Sequence, residues 1–500
     1  MAVEPVGEET AEVTSSRKRT PLFYAGLFLL LYLAFTALFL TLWVKRAMPG
    51  TDTESIIFQL KVPLEGTDWS AYYGMFRGVF LWAPLCAAGL CILSRFLKIR
   101  RGFKLLTAAA LMLGLWGCGL HYISFFSYVH GQLAHSEIYE EYYADPEKVA
   151  VTFPEKKRNL IYIYLESMEI TFTDTDKGGV NSKNPISKLT EVSLQNENFG
   201  DGTVLNGPVS TVGTTWTMAS FVAQNTGVPL SIPISMNSMD RYDSFLPGAY
   251  SLGQLLEREG YREEVIIGSK KTFSGFDTFL LTHGNPNVID LQAARDAGFL
   301  PSKDYKAWWG YEDRYLFEIA KKRLAELSEG DEPFSLTLMT MDTHRVNGYK
   351  CALCRKEYEL QYENVLACSD TQVTEFLSWL AEQDFYENTT IILAGDHQTM
   401  DGDYVATLTI PDSYERKQYY AVVNGAAERE NTGVRHYTTE DLFPTTLAAM
   451  GCEIEGDRLG LGTNLYSGTP TLLEEKGLDW LDGELGLQSV YYNKHLLYGE

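Results

Sequence analysis

Hydrophobic positions in this chain follow two rules. Up to about residue 130 they come as long, uninterrupted apolar runs; from residue 159 they come as strand-length runs separated by stretches of helical spacing. The long runs extend from about Pro21 to Val44 without a charge, from about Gly78 to Ser94 with Pro84 inside, and from about Leu105 to Val129 with a single His121. Each is read as a membrane-spanning helix. The first is too long for a signal-peptide core, and no small-residue cleavage site follows it. Downstream, Asn159–Leu165, Glu264–Gly268, Phe334–Met341, Thr389–Leu393 and Tyr419–Val423 predict strands. Helical spacing predicts helices at Ser251–Glu259, Tyr315–Leu327, Thr371–Gln383 and Thr439–Met450. That alternation predicts an α/β fold with a doubly wound, mostly parallel sheet across 159–470. Before it come a polar, disordered tail (1–20), three transmembrane helices (21–129) and a tyrosine-rich acidic connector (130–158); a C-terminal tail (471–500) follows.

Charge orients this plan. Arg17, Lys18 and Arg19 precede the first run, and Arg95, Lys98, Arg100, Arg101 and Lys104 separate the second from the third. Between the first and second lie mainly acids: Asp52, Glu54, Glu65 and Asp68. The positive-inside rule then expects a multi-pass protein of the cytoplasmic membrane, with its N-terminus inside and everything beyond His130 outside. Lys45 and Arg46 oppose that orientation. The formal net charge of −23 resides mostly in the outer part and argues against nucleic acid as a partner. Of the seven cysteines, Cys86, Cys91 and Cys118 lie in the apolar runs, while Cys351, Cys354, Cys368 and Cys452 lie outside them. In an oxidising compartment a disulfide such as Cys354 with Cys368 is expected. Cys351 to Cys354 is a CxxC without a second CxxC, which favours a disulfide over a zinc knuckle.

Three predicted strands end on chemistry. Asn159–Leu165 runs into Glu166, Phe334–Met341 into Asp342-Thr343-His344, and Thr389–Leu393 through Ala394-Gly395 into Asp396-His397. Carboxylates and imidazoles spilling from the carboxyl edge of a sheet suggest a site there. Taken singly, Glu166 or Asp396 could be a helix cap and His344 or His397 an ordinary polar residue. Together Glu, Asp and His are ligands for a divalent cation. The loop Val212-Gly213-Thr214-Thr215-Trp216-Thr217 leads into a short helix, where a threonine would meet the positive end of the helix dipole. Thr215 or Thr217 could equally be an N-cap.

Thr214-Thr215-Trp216-Thr217-Met218-Ala219-Ser220, with Gly227-Val228-Pro229-Leu230 after it, resembles the nucleophile segment of the phosphoglycerol transferase I family. That family belongs to the sulfatase-like branch of the alkaline phosphatase superfamily, with lipoteichoic acid synthases and phosphoethanolamine transferases as more distant relatives. The likeness extends through Tyr164–Ser167, Phe279–Gly284, Trp309–Asp313, Asp342–His344 and Asp396-His397, in order, over roughly 159 to 465. The resemblance implies that Glu166, Asp396 and His397 bind one divalent metal, Mn2+ or Zn2+. It makes Thr217 the nucleophile and fourth ligand, with Thr215 the alternative, and sets His344 over the substrate phosphate.

The chain departs from this pattern in places. It has no Cys-x-Pro-x-Arg, so the formylglycine of true sulfatases is absent, and sulfate ester hydrolysis is disfavoured. The substrate-contacting Arg of lipoteichoic acid synthases has no counterpart unless Lys270 or Lys271 replaces it. The chain also ends soon after the catalytic segment, where members of the phosphoglycerol transferase I family continue, which leaves the acceptor open. The expectation is a membrane-anchored phosphotransferase moving phosphoglycerol from phosphatidylglycerol to an extracytoplasmic glycan. Its partners are then a phospholipid donor, a glycan acceptor and the bilayer. The rivals are a phosphoethanolamine transferase or a hydrolase of the same fold, or a binding protein with a degenerate site.

Overall fold

The computed structural model describes residues 9–47, 53–54, 56–57, 70–231 and 244–500. Asp52, Glu65, Asp68 and the first part of the polar tail lie outside the described residues. The chain divides into two compact units: Met1–Thr53 with Asp68–Phe126, which carries the N-terminal apolar helices, and Glu54–Thr67 with Ser127–Glu500.

In the first unit, helix α1 (Glu9–Ala47) begins within the segment expected to be disordered and carries Pro21 inside it. Good helix formers such as Glu9, Ala11, Glu12, Arg17 and Lys18 let the helix extend back past the apolar run. A helix at Ser70–Arg77 passes through a π-helical stretch, Gly78–Trp82, into α2 (Ala83–Phe96), with Pro84 in its first turn. Helix α3 (Arg101–Tyr122) is shorter than the run that predicted it. The chain breaks at Ser124, whose φ of 55° is left-handed, before a short helix at Phe125–Gly131. Among the described residues, three segments are long and apolar enough to cross a membrane: Pro21–Arg46, Tyr72–Phe96 and Arg101–Tyr122. Leu27, Leu31, Ala87 and Ala108 pack between them, while Leu29, Leu85, Leu93, Leu106 and Leu113 point outward.

The second unit is built on a six-stranded sheet. Its strands are β1 (Asn159–Leu165), β2 (Arg262–Ile267), β3 (Asn287–Ile289), β4 (Phe334–Met339), β5 (Thr389–Gly395) and β6 (Tyr420–Val423). Their order is β3-β2-β4-β1-β5-β6, parallel throughout except for the antiparallel edge pair β5–β6. The doubly wound, mostly parallel sheet expected from the sequence is therefore present. Strand β3 was not anticipated: three residues starting on an exposed Asn287 carry no strand signal.

Every residue of β1 is buried, as a strand covered on both faces must be. Leu160, Tyr162 and Tyr164 join one core with helix α4 (Thr217–Thr226) and helix α7 (Leu442–Ala449); Ile161, Ile163 and Leu165 join the other with α5 (Asp313–Leu327) and α6 (Gln361–Ala381). Helix α6 starts well before the predicted Thr371, because Tyr362, Val365 and Leu366 already continue its apolar face.

Residues 471–500, read as a tail, pack into the first core through Leu472, Leu481, Leu485, Tyr492 and Leu496. Ile138 and Tyr139 of the connector do the same. One buried cation locks this region. Arg435 is fully buried; its Nε and Nη2 donate to both oxygens of Glu474 at 2.9 and 3.0 Å, and its remaining N–H groups donate to the carbonyls of Leu465, Ser467 and Thr469. Arg435→Leu would leave a carboxylate and three carbonyls without their donor. We expect a loss of about 3 kcal/mol in unfolding free energy, read as a lower urea midpoint.

Candidate active site

Strands β4, β1 and β5 are neighbours in the middle of the sheet, so the residues just past their carboxyl ends meet. Glu166 follows β1, and its N–H donates to Thr340 Oγ1 after β4 at 3.0 Å. Asp396 follows β5, and its N–H donates to the Leu165 carbonyl at 3.1 Å. The turn at Gly395 admits no side chain, since a Cβ there would sit 2.0 Å from the Met168 carbonyl oxygen. That close approach is why a glycine precedes the Asp-His pair.

The result is a tight polar cluster. Ligand atoms of Glu166, Asp396 and His397, all buried, lie within 4.8 Å of one another. His397 Nε2 is 3.3 Å from Asp396 Oδ2 and 3.6 Å from Glu166 Oε1. Thr217 Oγ1 is 3.2 Å from the same Nε2. His397 Nδ1 lies 2.8 Å from the Gln398 carbonyl. A carbonyl can only accept, so Nδ1 carries a proton, and in the neutral ring Nε2 turns its lone pair to the cluster.

Asp396 Oδ1 accepts the N–H groups of Ser167 at 2.6 Å and His397 at 2.7 Å, which orients the carboxylate. Ser167 holds a left-handed φ of 54° to do so and donates its hydroxyl to Glu166 Oε1 at 2.6 Å. A strained residue wedged between two acids is a feature of functional sites rather than of ordinary strand ends.

Asp396 Oδ2, in contrast, is buried without a hydrogen-bond partner. Burial and the neighbouring Asp396 charge push Glu166 well above the usual carboxylate range. Two adjacent buried acids, one with an orphaned oxygen, beside an imidazole lone pair and a hydroxyl, form a donor set with the chemistry of a divalent-cation site. Glu166, Asp396 and His397 could hold such an ion.

Thr217 opens α4. The N-cap is Trp216, in extended conformation and with no side-chain cap; the helix ends at Gly227, whose φ of 69° closes it. The first-turn N–H groups thus lack helical partners by geometry and favour negative charge at this end.

A cavity of about 140 Å3 adjoins Glu166 and Thr217. His344 lines it, its ring 5.1 Å from that of Trp309 and its Nδ1 2.8 Å from the Arg345 carbonyl. Burial, reinforced by the Arg345 charge, pushes His344 down to about 3. It is therefore a neutral imidazole, with its proton on Nδ1 and its lone pair on Nε2. Lys270, Arg295 and Lys306 also reach the cavity wall, which is otherwise largely apolar, with Phe273, Phe276 and Trp309.

Residues 158–452 match the family model described as Sulfatase, more than half of the chain. The chain belongs to the sulfatase family. Within that family it is similar to phosphoglycerol transferase I of Citrobacter koseri, at 30% identity over 336 residues covering 65% of this chain and 41% of that protein. The enzyme of the same name from Escherichia fergusonii is also 30% identical, over 351 residues covering 68% and 43%. The chain thus spans about two fifths of the length of these relatives. A lipoteichoic acid synthase from Listeria monocytogenes shares the fold, with a TM-score of 0.50 at 17% identity over 64% of this chain and 79% of that one.

This sulfatase-family chain gathers the sequence-predicted Glu166, Thr217, Asp396 and His397 at one point, with His344 across the adjoining cavity. Of the two candidate threonines it is Thr217 whose hydroxyl reaches His397. Lys270 lines the cavity; the Lys271 backbone N–H is spent on Asp290 Oδ2. Ser167 belongs to the segment that carries the likeness, whereas Arg295 and Lys306 follow no local pattern and reach the cavity only through the fold.

Proposed function

We propose that the protein is a membrane-anchored phosphotransferase that moves phosphoglycerol from phosphatidylglycerol to a glycan hydroxyl through a phospho-threonine intermediate. The observation that carries this reading is the meeting of Thr217, at the start of α4, with Glu166, Asp396 and His397 at the ends of two central strands. The similarity to phosphoglycerol transferase I supports the choice of group.

Glu166, Asp396, His397 and Thr217 would hold one divalent ion, manganese or zinc. Such an ion supplies positive charge where the phosphoryl oxygens accumulate negative charge and favours the ionised form of the threonine. Thr217 Oγ1 forms a bond to phosphorus as the bond from phosphorus to the diacylglycerol oxygen breaks. The proton given up by Thr217 ends on that oxygen, so diacylglycerol leaves neutral. In the second half, Nε2 of neutral His344 accepts a hydrogen bond from the entering glycan hydroxyl and orients it. The glycan oxygen bonds to phosphorus, the bond to Thr217 breaks, and the proton of that hydroxyl passes to the threonine. Lys270, Arg295 and Lys306 complement the phosphate charge, and the aromatic wall excludes water that would divert the intermediate to hydrolysis.

The apolar helices confine the enzyme to the plane that holds its donor, which raises the local concentration of lipid head groups. Basic residues flanking them favour an N-terminus in the cytoplasm and a catalytic unit outside it, in the cytoplasmic membrane of the cell.

The test is intact-protein and peptide mass spectrometry after incubation with phosphatidylglycerol and, separately, phosphatidylethanolamine. We expect a phosphoglycerol adduct on Thr217 with diacylglycerol released from the first lipid only. An adduct from phosphatidylethanolamine would reassign the donor, and free glycerophosphate without a glycan product would make the enzyme a hydrolase.

A further inference from the structure

Cys351, Cys354 and Cys368 take no part in the reaction described above. Their sulfur atoms all lie within 4.8 Å of one another. Cys351 Sγ is 3.6 Å from Cys354 Sγ and 3.7 Å from Cys368 Sγ. Cys351 and Cys368 are buried and Cys354 is half-buried. The thiols arrive from two separate elements. Cys351 and Cys354 share one turn, closed by the Cys354 N–H on the Cys351 carbonyl at 3.2 Å, and Cys368 projects from α6. The sequence favoured a link between Cys354 and Cys368; the structure instead puts Cys351 in contact with both.

The spacing suits a metal better than a covalent pair. Zinc holds thiolates at about 2.3 Å in a tetrahedron, whose edge is then roughly 3.8 Å. The two separations from Cys351 fall close to that edge. A disulfide brings its sulfurs to about 2.0 Å and uses two of the three, stranding the third.

A donor also faces the set: Gln372 Nε2 donates to Cys368 Sγ at 3.4 Å. Donors aimed at sulfur stabilise a charged ligand and fix its direction. Nearby, buried Asp342 has an Oδ2 without a hydrogen-bond partner.

We propose that Cys351, Cys354 and Cys368 form a second metal site, a three-thiolate zinc site with its fourth position open beside half-buried Cys354. Zinc there ties the turn that follows His344 to α6. The site stands independently of the phosphotransfer reading, because none of its ligands touches the Glu166 cluster.

The test uses the full-length chain in detergent, reduced and stripped of metal, titrated first with Co2+ and then with Zn2+. Thiolate coordination gives an intense near-ultraviolet sulfur-to-cobalt absorption that the oxygen and nitrogen donors of Glu166, Asp396 and His397 cannot produce. We expect this band to saturate at about one equivalent per chain and to be bleached by zinc. Cys354→Ser and Cys368→Ser should each reduce it by at least about half and lower bound zinc by about one equivalent, while Cys452→Ser leaves both unchanged. Absence of the band in the unmutated chain would overturn the site, a readout that needs no variant to fold. So would a band indifferent to both substitutions, or a disulfide between any two of the three cysteines in peptide maps of the unreduced protein.

Discussion

Replacing Thr217 with alanine is expected to lower lipid turnover by about 10⁴-fold or more while the protein stays folded. If Thr217 supplies the attacking oxygen as proposed, its neighbours, which would only bind and polarise the donor, cannot compensate for its loss. The fold should survive because Thr217 stands at the first position of α4, where alanine is a good helix former, and the N-cap is Trp216, not Thr217. The hydroxyl makes a hydrogen bond to His397, so the change removes one polar contact from a half-buried position. Thr217→Ser keeps an oxygen at the same place and should retain activity within about tenfold to a hundredfold of the original. Thr215→Ala should stay within about tenfold. The measurement is release of labelled diacylglycerol from phosphatidylglycerol, with the adduct followed in parallel by mass spectrometry. Near-normal turnover in Thr217→Ala would transfer the nucleophile to another residue.

Much of the site was legible because its donors sit immediately after buried strands. A strand covered on both faces reads as an unbroken apolar run, so its end is sharply marked, and Glu166 and Asp396 stand at such ends. What the pattern could not show was strand order. That β4, β1 and β5 are adjacent, and so bring their ends together, depends on pairings between segments far apart in sequence. The antiparallel direction of β6 was invisible for the same reason, since a four-residue buried run looks alike in either orientation. Residues 471–500 carry little pattern in sequence, since their helices are short and punctuated by Gly477 and Gly486, yet Leu481, Leu485 and Tyr492 are buried in the core. Burial that comes from docking onto a distant surface leaves only a weak local period. Arg295 and Lys306 illustrate the limit for function: a cation on a helix or loop looks solvated until the fold turns it toward a cavity.

Asp396→Asn is expected to move activity and stability in opposite directions. Asp396 Oδ1 accepts the N–H groups of Ser167 and His397, and an asparagine carbonyl oxygen can accept both, so the turn after β5 keeps its shape. The change falls on Oδ2, the buried oxygen without a partner. An amide there removes the charge that helps raise Glu166 and can donate a hydrogen bond toward the remaining carboxylate. In chelator-treated protein at neutral pH the variant should therefore be the more stable one, by about 1 kcal/mol or roughly 2 °C in melting temperature. Turnover should fall by about 10³-fold, because the site loses one of its two negative charges and with it most of its affinity for a dication. Bound metal should fall with it, and excess Mn2+ or Zn2+ should restore only part of the rate. Functional sites are commonly held at a cost to the free protein, and the paired acids Glu166 and Asp396 make that cost measurable with a single substitution. Were Asp396 an ordinary turn-former, the substitution would leave both turnover and metal content unchanged; were the carboxylate needed to hold the strand ends together, the melting temperature would drop instead of rising.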